Sequence, residues 1–379
     1  MEVSICSVLL GFDTCSSTHY SIRIIIQGFL RPNNWVFSAH HANLFINLPL
    51  QETNMMLNLK DIRRPVAEEM EAFQKTFRSA IHSDVRLLNI ISSYILKKKG
   101  KQMRPLFVFL TAKLVGEVTE STYTAASLIE LMHTATLIHD DVVDDSYERR
   151  GLFSMNAVWK SKLSVLLGDY FLARGLLLAT TKKDHDLLDI VSDTVKEMSE
   201  GELLQLQKSR KLNIDTGSYY DVIRKKTATL IASCTASGAK SAGASTEDVD
   251  VLYGMGLDIG MAFQIKDDLF DYQPRGITGK PAGNDLKEKK FTLPLIYALE
   301  NSDRSDKRSI MKLIRNGSMS RNKITHIVDF VTAHKGLEFA TEKMYEYKSS
   351  AEKVLDSFPA SEARQSLQDL ITFTVERNR

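Results

Sequence analysis

Apolar side chains recur at helical spacing along most of the chain. Residues 125–139 and 163–180 are apolar on nearly every side, which predicts helices buried inside a large bundle. No proline occurs between Pro105 and Pro274, and because proline breaks helix interiors, this gap favours long uninterrupted helices. Alternating runs rich in Val, Ile and Thr, which would predict strands, are missing from the same stretch. We therefore predict an all-α fold, a single large helical bundle, over residues 55–379.

The first 54 residues depart from this pattern. They hold five charged residues and no lysine, whereas charged residues make up 25% of the whole chain. The stretch lacks the basic start and the cleavage site of a signal peptide, and its apolar run at residues 24–26 is too short to span a bilayer. We expect residues 1–54 to be an atypical extension that is disordered or that precedes the natural start at Met55 or Met56.

Composition narrows the class of protein. With 379 residues, 43% of them apolar, the chain can bury a large core. Its formal charge of +2 gives no electrostatic case for binding nucleic acid. Cys6, Cys15 and Cys234 form neither a metal-ligand spacing nor a disulfide framework. These features are typical of a cytoplasmic protein, and we expect no nucleic-acid partner.

One carboxylate pattern, Asp-Asp-x-x-Asp, occurs twice. The copies begin 127 residues apart and form a first acidic triplet of Asp140, Asp141 and Asp144 and a second acidic triplet of Asp267, Asp268 and Asp271. On a helix these positions project toward one side, and two charges about 4 Å apart repel by roughly 4 kcal/mol at an effective dielectric near 20. Oxygen ligands select Mg²⁺, which prefers one or two carboxylates plus substrate phosphates. The doubled pattern predicts a phosphate-bearing substrate held through several Mg²⁺ ions.

The neighbours of the triplets favour a cavity wall over a solvated surface. A single triplet is equally compatible with a solvated acidic helix face. Both triplets, however, begin inside apolar sequence, at residues 137–143 and 262–270. Bare carboxylates are costly to desolvate there. We predict that both triplets line a cavity.

Basic residues lie near the first triplet. Lys101 and Arg104 belong to a basic run at residues 97–105, where the arginine fork suits phosphate oxygens. Arg149 and Arg150 follow the triplet. Each group also has a plainer explanation, a solvated basic turn for the run and compensation of a helix dipole for the two arginines.

Further candidates are spread along the chain. His133 lies seven residues before Asp140 and so shares its helix face, although a lone histidine on an apolar helix is more often a core residue. Residues 225–227, Lys-Lys-Thr, are predicted to open a helix, and Gln264 precedes the second triplet. Residues 279–294 are rich in Gly, Pro and Lys, which predicts a mobile loop that closes over the site.

Together these residues resemble the trans-isoprenyl diphosphate synthase family, in its long-chain polyprenyl branch. The resemblance covers residues 60–379 and rests on His-Asp-Asp-Val-Val-Asp-Asp followed by Arg-Arg-Gly, with Gln-x-x-Asp-Asp-x-x-Asp downstream. The sequence of the segment Lys-Gly-Lys-Gln-Met-Arg-Pro is most similar to that of polyprenyl synthetases of Bacteroidetes-type bacteria. The resemblance implies an isoprenoid synthase bundle with a central cavity, a homodimer and three Mg²⁺ ions per active site.

The resemblance also implies roles for individual residues. Isopentenyl diphosphate would be bound by Lys101, Arg104, His133 and Arg150. The allylic diphosphate would be bound by Arg149, Lys226, Thr227, Gln264, Lys280 and Lys290. Magnesium would be held by Asp140, Asp144, Asp267 and Asp271, and catalysis would depend on both triplets and Lys226. Lys99 and Lys289 stand where the family commonly has glycine, which puts loop flexibility in doubt.

The implied reaction uses no side-chain nucleophile. Metal and cationic side chains stabilise the leaving diphosphate, and the double bond of isopentenyl diphosphate attacks the allylic carbon. Below the first triplet, Ala135 and Thr136 are small, so we expect the growing product to pass them, with Met132 as a deeper obstacle. The expected product is a C30 to C45 all-trans polyprenyl diphosphate, for quinone side chains, whose release brings a transient contact with a membrane surface.

Three other functions share part of this pattern of motifs. A shorter-chain farnesyl or geranylgeranyl diphosphate synthase shares the same motifs. Class I terpene cyclases generally lack the second triplet and the trio of Lys101, Arg104 and His133. Non-catalytic subunits of heteromeric synthases typically lose a triplet, whereas both are intact here. A purely structural helical protein is the remaining alternative.

Overall fold

The chain divides into two compact units. They are Met1–Met56 and Leu57–Arg379. The computed structural model describes residues 9–15, 19–25, 58–97, 100–143, 148–149, 152–153, 155–211, 215–272, 284–288, 290–315 and 319–376.

The first unit contains a β-hairpin. Strand β1, Leu9–Cys15, pairs antiparallel with β2, His19–Ile25, so that Leu9 lies opposite Ile25. Our expectation for residues 1–54 contained no strand, and the hairpin is therefore a feature that it missed. The natural start at Met55 or Met56 stays a prediction.

The second unit is helical, as the sequence predicts. Its helices are α1 Leu59–Ile62, α2 Ala67–Ala80, α3 Arg86–Lys97, α4 Met103–Val115, α5 Glu120–Val143, α6 Met155–Lys182, α7 His185–Lys211, α8 Thr216–Ile223, α9 Thr229–Ser241, α10 Thr246–Phe270, α11 Asn284–Lys287, α12 Leu293–Glu300, α13 Arg304–Arg315, α14 Arg321–Ala333, α15 Gly336–Asp356 and α16 Glu362–Glu376. A 3₁₀ turn, Arg64–Val66, joins α1 to α2, and a π-helical turn, Arg224–Ala228, joins α8 to α9. Two short strands, β3 Glu148–Arg149 and β4 Leu152–Phe153, pair antiparallel. The all-α prediction is confirmed.

Local sequence explains where two important helices begin. Asp215 precedes α8, and its Oδ1 accepts a hydrogen bond of 2.7 Å from the backbone N–H of Ser218. Ser245 precedes α10, and its Oγ accepts one of 3.1 Å from the N–H of Asp248. Such caps satisfy backbone donors that have no partner inside the helix. They fix the first residues of α10, which carries Asp267 and Asp268, and of the helical run that carries Lys226.

The core lies where α4, α5, α9 and α10 pack together. Helix α4 is buried along almost its whole length, and Phe107 and Phe109 are among its fully enclosed side chains. The Phe73 ring of α2 meets the Phe109 ring edge-on at 5.9 Å between centroids. Edge-to-face packing suits the quadrupoles of aromatic rings. This packing holds α2 against α4, the helix that contains Arg104 and that follows Lys101.

The two helices predicted to be buried all round behave differently. Helix α5 is largely buried, in agreement with the prediction. For α6 the prediction is wrong, because Leu166 is 63% exposed and Leu177 is 54% exposed. Helix α6 also bends at Lys160, whose φ of 62° is not helical. Apolar composition alone does not distinguish a core helix from one with an uncovered apolar face.

Length and composition single out the same helix. Among the described helices, the segment Asn156–Lys182 of α6 is the one long and apolar enough to cross a membrane, with a mean hydropathy of 1.4 in its most apolar window. Of that window, 33% is buried inside the protein. Core helices of soluble proteins meet the same criterion, so the observation by itself assigns no membrane span.

Candidate active site

A large cavity brings most of the predicted site residues together. Its volume is about 1200 Å³, and its wall includes residues from α4, α5, α7, α10 and the π-helical turn. The predicted residues that line it are Asp140, Asp141, Asp267, Lys101, Arg104, His133, Lys226, Thr227 and Gln264. Carboxylates from both triplets therefore face one space together with Lys101, Arg104 and His133, three of the four residues assigned to isopentenyl diphosphate. Their individual roles stay predictions.

Other predicted residues do not line this cavity or lie outside the described residues. Asp268, Asp271 and Lys290 are described but do not contribute to the wall. Lys290 forms an ion pair with Glu288, with 2.7 Å between Nζ and Oε2. The predictions for Asp144, Arg150, Lys280 and the side chain of Arg149 fall outside the described residues, as do residues 279–283 and 289 of the predicted loop at 279–294.

Both triplets lie where a helix ends. Asp140 and Asp141 are in the last turn of α5, and Asp267 and Asp268 are in the last turn of α10. The carboxyl end of a helix carries partial negative charge, so carboxylates there are unfavourable by a few tenths to about 1 kcal/mol each. Asp141 is also 98% shielded from solvent, being only 2% exposed. This electrostatic arrangement favours a bound cation at each helix end.

Asp268 is the buried centre of a hydrogen-bond network. Its Oδ2 accepts a 2.7 Å bond from the hydroxyl of Tyr219, and its Oδ1 accepts a 3.0 Å bond from Nε2 of Gln264. The Gln264 Oε1 in turn accepts a 2.9 Å bond from the Thr227 hydroxyl. Burial raises the pKa of Asp268 to about 7, while the hydrogen bonds from Gln264 and Tyr219 oppose the rise.

The π-helical turn presents Lys226 and Thr227 to the cavity. The sequence predicted a helix start at residues 225–227, and this is wrong, because α8 already begins at Thr216 and helical backbone continues through the turn. The residue types in Lys-Lys-Thr do not indicate the extra residue that distinguishes a π-helical turn from an α-helical turn. Such turns are rare and occur frequently at functional sites.

Two glycines let neighbouring helices approach the π-helical turn closely. A Cβ on Gly201 of α7 would lie 2.8 Å from the backbone nitrogen of Lys226. A Cβ on Gly260 of α10 would lie 2.4 Å from Cα of Ala228. Both distances are shorter than non-bonded carbon contacts allow. The turn is therefore held between α7 and α10 at a distance that only glycine permits.

Helix α7 supplies partners for Lys226 that the sequence analysis missed. The Lys226 ammonium forms an ion pair with Glu202 and donates a 3.1 Å hydrogen bond to Oε1 of Gln205. Glu202 also lines the cavity. The signal in the sequence was the run Gly201-Glu202-x-x-Gln205, in which both polar side chains share one helix face. An incoming diphosphate would meet a cation that is already oriented.

The loop before α4 fixes Lys101. Gln102 has a left-handed backbone, with φ of 46°, which turns the chain into the helix. The Arg63 guanidinium donates a hydrogen bond to the Lys101 carbonyl. The Lys101 ammonium lies 5.1 Å from the centroid of the Phe373 ring, a cation–π distance. Arg63 and Phe373 could not be predicted as neighbours, since they lie far from Lys101 in sequence.

The residues present fit a metal that is shared with a substrate. Among the described residues, no three carboxylate, imidazole or thiolate groups converge into a protein-only metal site. Asp140 and Asp267 nevertheless place hard oxygen donors on the wall of a cavity that also carries cationic side chains. Mg²⁺ characteristically takes one or two carboxylates and completes its shell with waters and substrate phosphates. The donor set therefore suits Mg²⁺ bound together with a diphosphate.

The predicted chain-length residues divide between two cavities. Thr136 lines the large cavity, whereas Ala135 is buried and does not. Met132 lines a second, apolar cavity of about 220 Å³ between α5, α6 and α7. On α5, Leu131 contacts the first cavity and Met132 the second; on α6, Phe171 and Leu172 divide in the same way. Phe171 was not identified from the sequence.

Comparison with known proteins places this site in a family. The sequence matches the Polyprenyl synthetase family over residues 85–331. It is 34% identical over 324 residues to octaprenyl diphosphate synthase of Escherichia coli, covering 85% of this chain and 100% of that protein.

Solved structures agree with that match. A polyprenyl synthase from Caulobacter crescentus, complexed with calcium and isoprenyl diphosphate, is similar at a TM-score of 0.78 and 31% identity, covering 85% of this chain and 98% of the other. Geranylgeranyl pyrophosphate synthase from Bacteroides thetaiotaomicron gives a TM-score of 0.72 and 36% identity, covering 84% and 99%. The chain belongs to the polyprenyl synthetase family.

Proposed function

We propose that the protein is a magnesium-dependent prenyltransferase. It joins isopentenyl diphosphate head to tail to an allylic diphosphate and makes an all-trans polyprenyl diphosphate. The observation that carries the proposal is the cavity that bears carboxylates of both acidic triplets together with Lys101, Arg104 and Lys226. Carboxylates and cations around one space suit a metal–diphosphate complex, because each charge type then has an oppositely charged partner.

Different side chains would hold the metal and orient the allylic diphosphate. When bound, Mg²⁺ supplies Lewis-acid stabilisation of a diphosphate leaving group. Asp140 and Asp267 would hold it, joined by Asp144 and Asp271, with three ions expected per site. Lys226, Thr227 and Gln264 orient the allylic diphosphate, with Arg149, Lys280 and Lys290 assigned to the same group by the family pattern. These residues fix the leaving group so that the allylic carbon ionises without a protein nucleophile.

Isopentenyl diphosphate takes the other side of the cavity. Lys101 and Arg104 pair with its phosphates, and His133 adds a third contact, with Arg150 assigned by the family pattern. The Phe373 ring and the Arg63 contact hold the Lys101 loop in place before the substrate arrives. A prepared loop loses less conformational freedom on binding, which strengthens the interaction. The double bond then lies toward the allylic carbon that it attacks. The new carbon–carbon bond replaces the bond to the leaving pyrophosphate, and loss of a proton from the isopentenyl unit regenerates an allylic double bond.

We propose a long-chain product of roughly C30 to C45. Thr136 and Phe171 line the large cavity, and Met132 lines the smaller apolar one. The likeness to an octaprenyl synthase supports this length. A shorter product is the second candidate, because a solved geranylgeranyl pyrophosphate synthase is 36% identical to this chain. A long product would suit quinone side chains.

We also propose a cytoplasmic homodimer in which α6 forms the contact. Val165 and Leu166 are exposed, and Leu176 and Leu177 repeat the pattern three turns later on the same face. A second copy covering this face would bury apolar surface worth about 25 cal/mol per Å². Contact with a membrane surface is expected only when the apolar product leaves.

One incubation tests the proposed reaction. Purified protein is given Mg²⁺, farnesyl diphosphate and radiolabelled isopentenyl diphosphate, and the products are separated by chain length after phosphatase treatment. We expect labelled polyprenols that disappear when EDTA is added. Cyclic hydrocarbons from farnesyl diphosphate alone would indicate a terpene cyclase, and no product without a second protein would indicate a non-catalytic subunit. Either result would contradict the proposal.

A further inference from the structure

We infer that Tyr219 is a positioning residue for the allylic diphosphate, acting through Asp268 and Gln264. The inference rests on the function proposed above and deepens it. Tyr219 lies on α8, is 4% exposed and does not line the cavity. Its hydroxyl is joined to the cavity wall by three consecutive hydrogen bonds, the last of which ends on Thr227.

The direction of each hydrogen bond in this series fixes how the side chains are oriented. Tyr219 and Gln264 both donate to the Asp268 carboxylate, at 2.7 and 3.0 Å. A carboxylate that accepts through both oxygens obliges the glutamine amide to present its NH₂ to Asp268 and its Oε1 to Thr227. The Thr227 hydroxyl then donates to Gln264, at 2.9 Å, and keeps its lone pairs for other donors. The buried Asp268 carboxylate therefore determines the donor-to-acceptor direction of all three hydrogen bonds.

Orientation at the buried end decides what the cavity wall offers. Gln264 has a second amide N–H, which is not used in the bond to Asp268, and Gln264 lines the cavity. A fixed amide can direct this N–H at a phosphate oxygen without a further loss of side-chain entropy on binding. Loss of the Tyr219 hydroxyl leaves Asp268 with one donor fewer and relaxes the constraint on the amide. Binding of the allylic diphosphate should weaken, whereas isopentenyl diphosphate binding should not.

Neighbouring tyrosines supply matched controls. Tyr272 is buried near the end of α10, and its hydroxyl is bonded to Thr292 at 2.6 Å, outside the chain of bonds to Thr227. Tyr220 follows Tyr219 on α8, and among the described residues its buried hydroxyl has no hydrogen-bond partner. Tyr272→Phe therefore matches the stability cost of losing a buried bond, and Tyr220→Phe matches the position on the helix.

The experiment measures ligand affinity and steady-state kinetics side by side. Titration calorimetry with Mg²⁺ and farnesyl thiodiphosphate, an unreactive allylic analogue, is run on the wild type, Tyr219→Phe and both controls. We expect Tyr219→Phe to raise the Kd about tenfold, the size of one hydrogen bond to a charged group. KM for the allylic substrate should rise with it and KM for isopentenyl diphosphate should stay unchanged. Both controls should remain within about twofold of the wild type.

A double-mutant cycle shows whether the effect passes through Asp268. Asp268→Asn offers one acceptor oxygen where two are needed, so it should weaken analogue binding by itself. Adding Tyr219→Phe to Asp268→Asn should then change the Kd by less than about twofold, because the coupled bond is already lost. Should Tyr219→Phe fail to fold, Asp268→Asn alone carries the test, and unchanged analogue binding in it would overturn the inference.

The outcomes separate this inference from the proposed function. If the wild type neither binds the analogue nor condenses the substrates, the proposed function fails and this inference is overturned with it. If the wild type is active but Tyr219→Phe binds the analogue normally, only the positioning role is overturned. The positioning role is also overturned if analogue binding weakens equally in Tyr219→Phe and Tyr272→Phe. The same holds if Tyr219→Phe raises KM equally for the allylic substrate and for isopentenyl diphosphate, because either pattern indicates a general loss of stability.

Discussion

At the residue scale, the acidic triplets are the features that sequence alone interprets best. Their spacing predicted carboxylates on a cavity wall, and Asp140, Asp141 and Asp267 line one. Asp268 differs, since its carboxylate is bound to Tyr219 and Gln264 rather than exposed to the cavity. Hydrogen-bond partners of this kind are not encoded by local spacing, because α8 and α10 meet only in the folded bundle. The sequence therefore predicts which residues carry charge but not which of them are held inside.

Alanine at Asp140 or at Asp267 should strongly lower turnover. Asp140→Ala and Asp267→Ala each delete a proposed Mg²⁺ ligand, and we expect kcat/KM to fall by at least roughly a hundredfold, as for the loss of a principal electrostatic contact. Asp250→Ala, an exposed aspartate on the same helix as Asp267, serves as the control and should be fully active. Steady-state rates are compared with melting temperatures. Near-normal turnover in either cavity variant would exclude that residue as a required ligand.

At the element scale, the helical pattern gave the helices but not their irregularities. Apolar periodicity predicted α5 correctly, and it also predicted burial for α6, where Leu166 and Leu177 are exposed. The π-helical turn was missed, because one extra residue in a helix leaves no compositional mark. Close packing of Gly201 and Gly260 against the turn explains its position, and this depends on helices distant in sequence. Irregular elements thus require tertiary structure.

A methyl group at Gly201 should displace the π-helical turn. In Gly201→Ala the new Cβ would lie 2.8 Å from the Lys226 nitrogen and 2.9 Å from the Lys225 Cβ. Overpacking of this kind costs about 1–3 kcal/mol, and we expect kcat/KM to fall at least about tenfold because Lys226 and Thr227 move. The measurement pairs kinetics with circular dichroism.

Gly254 provides the control for the glycine prediction. A Cβ at Gly254 on α10 meets nothing within 4 Å among the described residues. Gly254→Ala should keep full activity and stabilise the helix by up to about 1 kcal/mol. If Gly201→Ala were as active as Gly254→Ala, the close approach of α7 would have no role in presenting Lys226.

At the scale of the whole molecule, two cavities that are lined by adjacent residues of α5 and α6 suggest how product length is limited. Met132→Ala should open the large cavity toward the smaller apolar one and lengthen the product by one or more isoprene units. Thr136→Phe should shorten the product, because the larger side chain would narrow the large cavity beside the first triplet. Leu110→Ala, a buried truncation on α4 that lines neither cavity, controls for loss of stability. Chromatography of the dephosphorylated products gives the lengths, and identical distributions in all variants would refute a steric limit at Met132 and Thr136.

The exposed face of α6 predicts the assembly. Leu166→Glu places a charge at the centre of the proposed contact, where burying it without a partner is costly. We expect light scattering to give the mass of two chains for the wild type and of one chain for this variant. Val251→Glu, at an exposed apolar position on α10, should remain dimeric. A wild-type monomer, or a dimer that tolerates Leu166→Glu, would place the contact elsewhere or exclude it.

We propose that both acidic triplets hold divalent metal around one diphosphate. Crystals grown with Mn²⁺, which stands in for Mg²⁺, and farnesyl thiodiphosphate would locate the metal by anomalous scattering. We predict peaks about 2.0–2.2 Å from carboxylate oxygens of Asp140 and of Asp267, each also bonded to the same diphosphate. A bound analogue with no metal peak beside either aspartate would contradict the account.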